Sequence, residues 1–304
     1  MGQHAAVAQV ASGGTAVDSI VYLNGEYVPL ADAKIPVLDR GFIFGDGVYE
    51  VIPAYGRVLF RLDEHLARLE NSLRAIRIAN PHDGATWRTL LETVVARNAW
   101  DDQSVYLQVT RGVAPRTQEF PKGDVRPTVF IMSNLLKMPT PEQRANGVAV
   151  VTRDDYRWRR CDIKSVSLLA NCLLRQEAED AGAVETVLIR DGNVKEASTC
   201  NVFLVKDGVI LAPPKDHLIL HGITFDLALE LAREAGLPVR TREVKRAELF
   251  AADEVWLSSS AREVLPVTSV DGKRVGSGKP GPVYARIHQL FQDYKARTRP
   301  KAHA

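Results

Sequence analysis

Turn signals constrain the fold of this chain more than any other feature. Asn24-Gly25 separates the apolar run at 20–23 from that at 26–29, and Asn-Gly is a strong short-range hairpin signal. Tyr55-Gly56-Arg57 divides 48–54 from 58–60, Asp191-Gly192 divides 184–189 from 193–195, and Asp207-Gly208 divides 202–205 from 209–211. Asp271-Gly272 marks a further turn, and 105–110, 128–133, 148–152 and 254–258 read as additional strands. Between these runs lie helical stripes. Leu62, Leu66, Leu69, Leu73 and Ile76 repeat at helical spacing with Asp63 near the start, and Asn80-Pro81 ends them. Trp87, Leu91, Val94 and Asn98 form a second stripe, Leu227, Leu231 and Ala235 a third before Gly236 and Pro238, and Val283, Ile287, Leu290 and Tyr294 a last one. Many hairpins beside segregated helices predict an α+β fold rather than a βαβ series.

A length of 304 residues suggests two domains. Two prolines in Met138-Pro139-Thr140-Pro141 mark the boundary. The expected division is a small α+β domain at 19–137, a linker at 138–147 and a large domain at 148–304. Residues 1–18, rich in Ala, Gly and Ser without periodicity, read as a flexible extension. A net charge of +2 calls for no nucleic-acid or membrane partner. No apolar run approaches the roughly 20 residues that span a bilayer. The first basic residue is Lys34, so neither a signal nor a transit peptide is expected. Cys161, Cys172 and Cys200 lack C-x-x-C spacing, which predicts a reduced, cytoplasmic setting.

Lys164 is the candidate reactive group. It follows Arg160-Cys161-Asp162-Ile163 and precedes a helical pattern in which Leu168 and Cys172, then Leu169 and Leu173, recur, with Gly182 as the stop. It thus stands where an extended segment hands over to a helix and a side chain can point into a cleft. Partial burial beside cations frees an amine to act as a nucleophile. Taken alone, such a lysine is most simply solvated surface. The remaining motifs change that reading. Lys195-Glu196-Ala197-Ser198-Thr199-Cys200-Asn201 follows, then Leu220-His221-Gly222-Ile223-Thr224, while Asp39-Arg40-Gly41 and Phe44-Gly45-Asp46-Gly47-Val48-Tyr49-Glu50 stand upstream.

In this order the motifs resemble the fold-type IV pyridoxal-phosphate (PLP) enzymes, and within them the D-amino acid aminotransferases, over nearly the whole chain. The resemblance implies a two-domain fold with the cofactor in the interdomain cleft. It makes Lys164 the residue that carries PLP as an imine and shuttles the substrate proton. Glu196 becomes the partner of the pyridine nitrogen, which keeps the ring an electron acceptor; read without its flanking residues, it is a hairpin-end charge. Gly222-Ile223-Thr224 opens a helix whose free amides suit a phosphate. The family adds the Thr224 hydroxyl, Ser260 and Arg68 as phosphate contacts, and Leu220 against the ring. Periodicity disagrees over Arg68, since it lies off the leucine stripe and by pattern alone faces solvent.

For the substrate carboxylate, the resemblance points to Tyr49 and to Arg116 in the loop Arg111-Gly112-Val113-Ala114-Pro115-Arg116-Thr117-Gln118-Glu119-Phe120, which in the family reaches over the partner subunit's site. A homodimer is therefore implied. Gln118 stands where these enzymes usually carry histidine; it donates a hydrogen bond without a charge. Ser259 is a further candidate for this trap. The expected reaction moves an amino group from a D-amino acid to a 2-oxo acid. Alternatives on the same scaffold are a branched-chain L-amino acid or (R)-amine aminotransferase and an aminodeoxychorismate lyase. No metal is expected: His217 and His221 lack the glutamate of a zinc helix. Gly276-Ser277-Gly278-Lys279 lacks the spacing of a phosphate loop. Arg153, Arg157, Arg159 and Arg160 around Trp158 read as a salt-bridged or cofactor-proximal cluster rather than a nucleic-acid patch.

Overall fold

A computed structural model describes residues 19–298; the extension expected at 1–18 lies outside the described residues. The chain divides into two compact units. The first contains 19–137 and the short segment 164–167; the second contains 138–163 and 168–297. Residues 138–147, expected as a linker, cluster with the second unit and carry a helix, Pro141–Asn146. Thr140 and Gln143 form a capping box there and Pro141 fills the first turn, so the same prolines that suggest a boundary begin a helix.

In the first unit the elements are β1 (Ile20–Leu23), β2 (Glu26–Pro29), α1 (Arg40–Phe44), β3 (Gly47–Tyr55), β4 (Val58–Leu59), α2 (Leu62–Ala75), α3 (Gly84–Arg97), β5 (Gln103–Thr110) and β6 (Thr128–Leu135). The strands form one antiparallel sheet in the order β2-β1-β6-β5-β3-β4. Its first hairpin turns through Asn24 and Gly25, both at positive φ as the sequence demands. Val48, Ile52, Val105, Leu107, Val109, Val129 and Ile131 are buried on one face. There α2 and α3 pack, closing the core with Leu69, Leu73, Leu91 and Val94. By register, Tyr49, Gln108 and Phe130, then Val51, Tyr106 and Met132, share the other face and are half-exposed.

The second unit holds α4 (Pro141–Asn146), β7 (Val148–Asp154), α5 (Leu169–Asp180), β8 (Glu185–Arg190), β9 (Asn193–Ala197), β10 (Asn201–Lys206), β11 (Val209–Ala212), α6 (Ile223–Glu234), β12 (Val239–Thr241), β13 (Val244–Lys245), α7 (Arg246–Ala251), β14 (Glu254–Ser259), β15 (Glu263–Val270), β16 (Lys273–Arg274) and α8 (Pro282–Thr298). Its sheet runs β12-β11-β10-β14-β15-β7-β8-β9-β13, with β16 on β15. Among the described residues, six of its nine strand pairs are antiparallel; β7–β8, β15–β7 and β11–β12 are parallel, with α5 as the crossover from β7 to β8 and α6 as that from β11 to β12. Phe203 stacks on Phe225 and Trp256 at centroid distances of 4.6 and 4.3 Å and anchors α6 to the sheet. The expected hairpins and helix stripes are present; the parallel crossovers through α5 and α6 are additions to the α+β pattern.

A buried charge cluster ties β3 to α2. Arg68 donates from Nε to Glu50 Oε1 (2.8 Å) and from Nη2 to Oε2 (2.7 Å), and His65 Nδ1 lies 2.7 Å from Oε2. Burial pushes the His65 imidazole down, against the pull of Glu50, so a neutral ring donates Nδ1–H to the carboxylate. Arg68 is therefore buried, not solvent-facing as its place off the leucine stripe suggests. Its partner sits on another element, outside what helical periodicity reads. Burial alone would raise the Glu50 carboxyl, but Arg68 and His65 outweigh it and bring it down to about 2 from its ordinary 4.5. A depressed carboxyl contributes stability that is complete above the unfolded value and is lost as pH falls through the folded one. For Glu50 this is about 3 kcal/mol, lost between pH 4.5 and 2. Glu50→Gln should therefore unfold at lower urea than the parent at pH 7, and the gap between them should narrow as the pH is lowered across that window. A gap that stays constant would show that the pair carries no linkage.

Candidate active site

In the first unit, Lys164 is held by backbone pairing to β3. Its carbonyl accepts from Tyr49 N (2.9 Å), Ser165 bridges Val48, and Val166 N donates to Gly47 O (3.1 Å). Its own N–H reaches Ser72 Oγ on α2 at 3.3 Å. The side chain is half-buried, with Nζ 4.2 Å from the centroid of the Tyr49 ring. The amine thus stands over the half-exposed face of the sheet. Tyr49 in turn stacks on Tyr106 (5.5 Å), whose hydroxyl donates to Gln108 Oε1 at 2.6 Å. Burial, with Tyr49 nearby, pushes the Tyr106 phenol up to about 12, so it remains a neutral donor. Lys164 thus meets Tyr49 on one face of β3, while Glu50 on the other face pairs with Arg68 of α2.

Arg116 and Gln118 lie on the exposed loop after β5. The Arg116 guanidinium is 5.5 Å from the Phe44 ring centroid. Arg111, at the foot of the loop, is committed to Asp46 and to the carbonyls of Ile76 and Arg77.

The second unit builds a different constellation around Glu196, at the end of β9. Glu196 is 3% exposed. Oε1 accepts from Arg157 Nη1 (2.7 Å), and Oε2 accepts from Asn201 Nδ2 (3.1 Å) and Leu220 N (3.0 Å). An ionised carboxylate has about four acceptor sites, and these bonds use all but one of them. Burial pushes its carboxyl up, against the pull of the Arg157 charge and the Leu220 amide. A further cationic donor at the remaining site would offset that cost. Arg157 is oriented from behind by Asp155, which also pairs with Arg190 at 3.1 Å. Within the arginine-rich stretch, Arg157 pairs with Glu196, Arg160 with Asp162 and Arg153 with Glu177.

Asn201 also donates to the Leu220 carbonyl (2.9 Å) and so fixes the approach to α6. A Cβ on Gly222 would overlap Asn201 Oδ1, so only glycine allows this approach. No side chain caps α6, and Ile223 and Thr224 open it with buried first-turn positions. These are free helix amides of the kind that bind phosphate. Ser259 and Ser260 are half-buried at the turn between β14 and β15, where Ser259 accepts from Arg262 N. Sequence reasoning passed over Glu50, Asn201, Tyr106 and the special place of Arg157. Glu50 and Asn201 stood inside quoted motifs, but the pairs Glu50–Arg68 and Arg157–Glu196 join residues distant in sequence.

Burial pushes the Cys161 and Cys200 thiols up to about 11, which leaves them as unreactive thiols at neutral pH. Among the described residues no group of three or more His, Cys, Asp or Glu could hold a metal ion, and no helix is long and apolar enough to cross a membrane.

The model of the amino-transferase class IV family matches residues 47–270. The chain is 43% identical over 273 residues to the D-alanine aminotransferase of Bacillus licheniformis, covering 90% of this chain and 96% of that one. Among solved structures it resembles the branched-chain amino acid aminotransferase from Escherichia coli, with a TM-score of 0.84 at 29% identity over 94% of this chain and 97% of the other. It also resembles the T.th. branched-chain amino acid aminotransferase with pyridoxamine 5'-phosphate, with a TM-score of 0.85 at 29% identity over 93% and 96% of the two chains. With the family model spanning most of its length, from the start of β3 to the end of β15, the chain belongs to the class IV aminotransferases of fold type IV.

Proposed function

We propose that this protein is a PLP-dependent aminotransferase that moves an amino group from a D-amino acid to a 2-oxo acid such as pyruvate or 2-oxoglutarate. The observation that carries this reading is the Lys164 amine seated over the Tyr49 ring, in a chain 43% identical to a D-alanine aminotransferase. The donor set fits the cofactor: a buried carboxylate with one acceptor site to spare suits a protonated ring nitrogen, and an uncapped helix N-terminus suits a phosphate. The relative crystallised with pyridoxamine 5'-phosphate supports the same assignment.

From the first unit, Lys164 Nζ holds the cofactor covalently at rest and Arg68 serves the phosphate. From the second, the Ile223 and Thr224 amides, the Thr224 hydroxyl and Ser260 bind the phosphate, and Leu220 covers the ring. When bound, PLP supplies the sink for the electron pair left as the substrate Cα–H bond breaks. Lys164, as a free amine, would take that proton and later return it. Glu196 keeps the ring nitrogen protonated, held in place by Arg157 and Asn201. Tyr49, with Arg116 and Gln118 from the second copy's loop and Ser259, holds the substrate carboxylate. The donor leaves as a 2-oxo acid, and a second 2-oxo acid takes the amino group. A homodimer follows. It is supported by exposed Val37, Leu38, Phe42, Val113 and Phe120, on segments joined by the Asp39–Val113 bridge. The free cysteines suit a reducing, cytoplasmic compartment.

The fold likeness to branched-chain enzymes supports a second reading, with L-leucine as donor. Donor specificity decides. D-alanine with 2-oxoglutarate should exceed L-leucine and (R)-1-phenylethylamine; L-leucine as the best donor would overturn the D-amino acid reading, and pyruvate release without an acceptor would mean a lyase. Arg116→Ala should raise the KM for D-alanine much more than for the amine, and Gln118→His should improve D-alanine alone. Equal effects on both donors would remove the loop from carboxylate recognition.

Borohydride reduction followed by peptide mapping should place the phosphopyridoxyl group on Lys164. Lys164→Ala should keep the cofactor noncovalently and lose about 10²–10⁴ in the proton-transfer step. A label on another lysine sinks the assignment. In Glu196→Gln the anionic partner becomes neutral; the label should persist while the first half-reaction slows by roughly 10²–10³. An unchanged half-reaction would contradict the role given to Glu196.

A further inference from the structure

Asp46, in the Gly-Asp-Gly turn ahead of β3, sits between two arginines that both grip the loop carrying Arg116 and Gln118. Its Oδ2 accepts from Arg40 Nε (2.8 Å) and Arg111 Nε (2.7 Å), and its Oδ1 from Arg111 Nη2 (3.0 Å). The three side chains are almost enclosed, at 11%, 3% and 9% exposure. Arg40 spends its remaining donors on the loop backbone: Nη1 on the carbonyls of Thr117 (2.6 Å) and Glu119 (3.4 Å), Nη2 on that of Gln118 (3.4 Å). Arg111 lays its guanidinium 3.7 Å from the Phe120 ring centroid and anchors to the end of α2 through Ile76 O (2.7 Å) and Arg77 O (3.0 Å). The backbone of Asp46 joins the same knot: its N–H reaches Arg40 O and its carbonyl accepts from Arg111 N. Tyr49 follows three residues later on the same strand.

We propose that Asp46, Arg40 and Arg111 are positioning residues that set the loop presenting Arg116 and Gln118 in the pose that reads a substrate carboxylate. The inference rests on the function proposed above. An exposed loop of polar residues has little packing of its own to fix it. Carbonyls cannot choose partners as side chains do, so a fork of guanidinium donors on three successive residues fixes the local path of the chain. The carboxylate behind the forks fixes the arginines. Burial alone would raise the Asp46 carboxyl, but its bonds to Arg111 and Arg40 hold it below its ordinary range, so it stays ionised through neutral pH. The geometry ties the position of the loop to the start of the strand bearing Tyr49. If the loop serves the second copy's site, each Asp46 links a residue of one site to the carboxylate grip of the other.

The test uses the PLP-loaded enzyme with Arg40→Ala, Arg40→Lys and Asp46→Asn. A lysine can keep the pair with Asp46 but cannot reach three carbonyls, so Arg40→Lys retains the fold if Asp46→Asn does not. D-alanine turnover by the parent enzyme first checks the functional reading itself; its absence overturns that reading and, with it, the role in substrate selection. Given turnover, Arg40→Ala should raise the KM for D-alanine about tenfold or more. Its kcat/KM for (R)-1-phenylethylamine should stay within about twofold of the parent, because that donor has no carboxylate to read. Arg40→Lys should fall between. Trypsin should cut after Arg116 about tenfold faster in the variants, a readout independent of activity. Unchanged cleavage, an unchanged KM, or equal losses on both donors in a folded Arg40 variant would overturn the proposal.

Discussion

The second unit depends on keeping one buried carboxylate ionised. Glu196 is removed from water, and a bare charge there would cost several kcal/mol. Arg157 answers it, but Arg157 is itself buried and must be held in turn by Asp155, which shares its other oxygen with Arg190. The alternation of signs along Glu196, Arg157, Asp155 and Arg190 is what makes the site possible. It accounts for Arg157 in the arginine-rich stretch before Lys164. It also explains why Asn201 and Gly222 must lie close, since the amide that completes Glu196 on its far side also sets the path into α6. One electrostatic requirement therefore organises both the Glu196 carboxylate and the start of α6.

The first unit meets a similar requirement by different means. Lys164 is not placed by the helix that follows it; α5 begins at Leu169. The segment 164–167 belongs to the first unit through main-chain pairing with β3, which leaves the side chain over Tyr49. Backbone pairing thus positions the amine through its main chain rather than through its side chain. Behind it, Glu50 takes both forks of Arg68 and the His65 proton, so the charged floor is closed before any ligand arrives.

The Asp46 knot extends the same logic to the loop. Where the buried network around Glu196 holds a single side chain, the arginines on Asp46 hold a stretch of backbone. Charge pairs thus fix a side chain in one place and a run of carbonyls in the other.

By itself the sequence determined what is local. Asn-Gly and Asp-Gly turns, helical stripes and the capping residues act within a few positions, so hairpins and helices were legible, and the motif order identified the family. Even the helix at 141–146 carried its signal in Thr140, Pro141 and Gln143, though the paired prolines drew attention to a boundary instead. Only the tertiary structure decided the rest. Arg68 read as solvent-facing because its carboxylate lies on a different element, and helical periodicity cannot see a partner 18 residues away on a strand. Asp46 gave no sign of joining Arg40 to Arg111, 65 residues on, because a salt bridge leaves no period in the chain. Glu196 reads as a hairpin-end charge only without its flanking residues, and its burial comes with folding. Burial and long-range charge pairing arise only when distant segments exclude water together, and that is a property of the packed chain, not of any stretch of it.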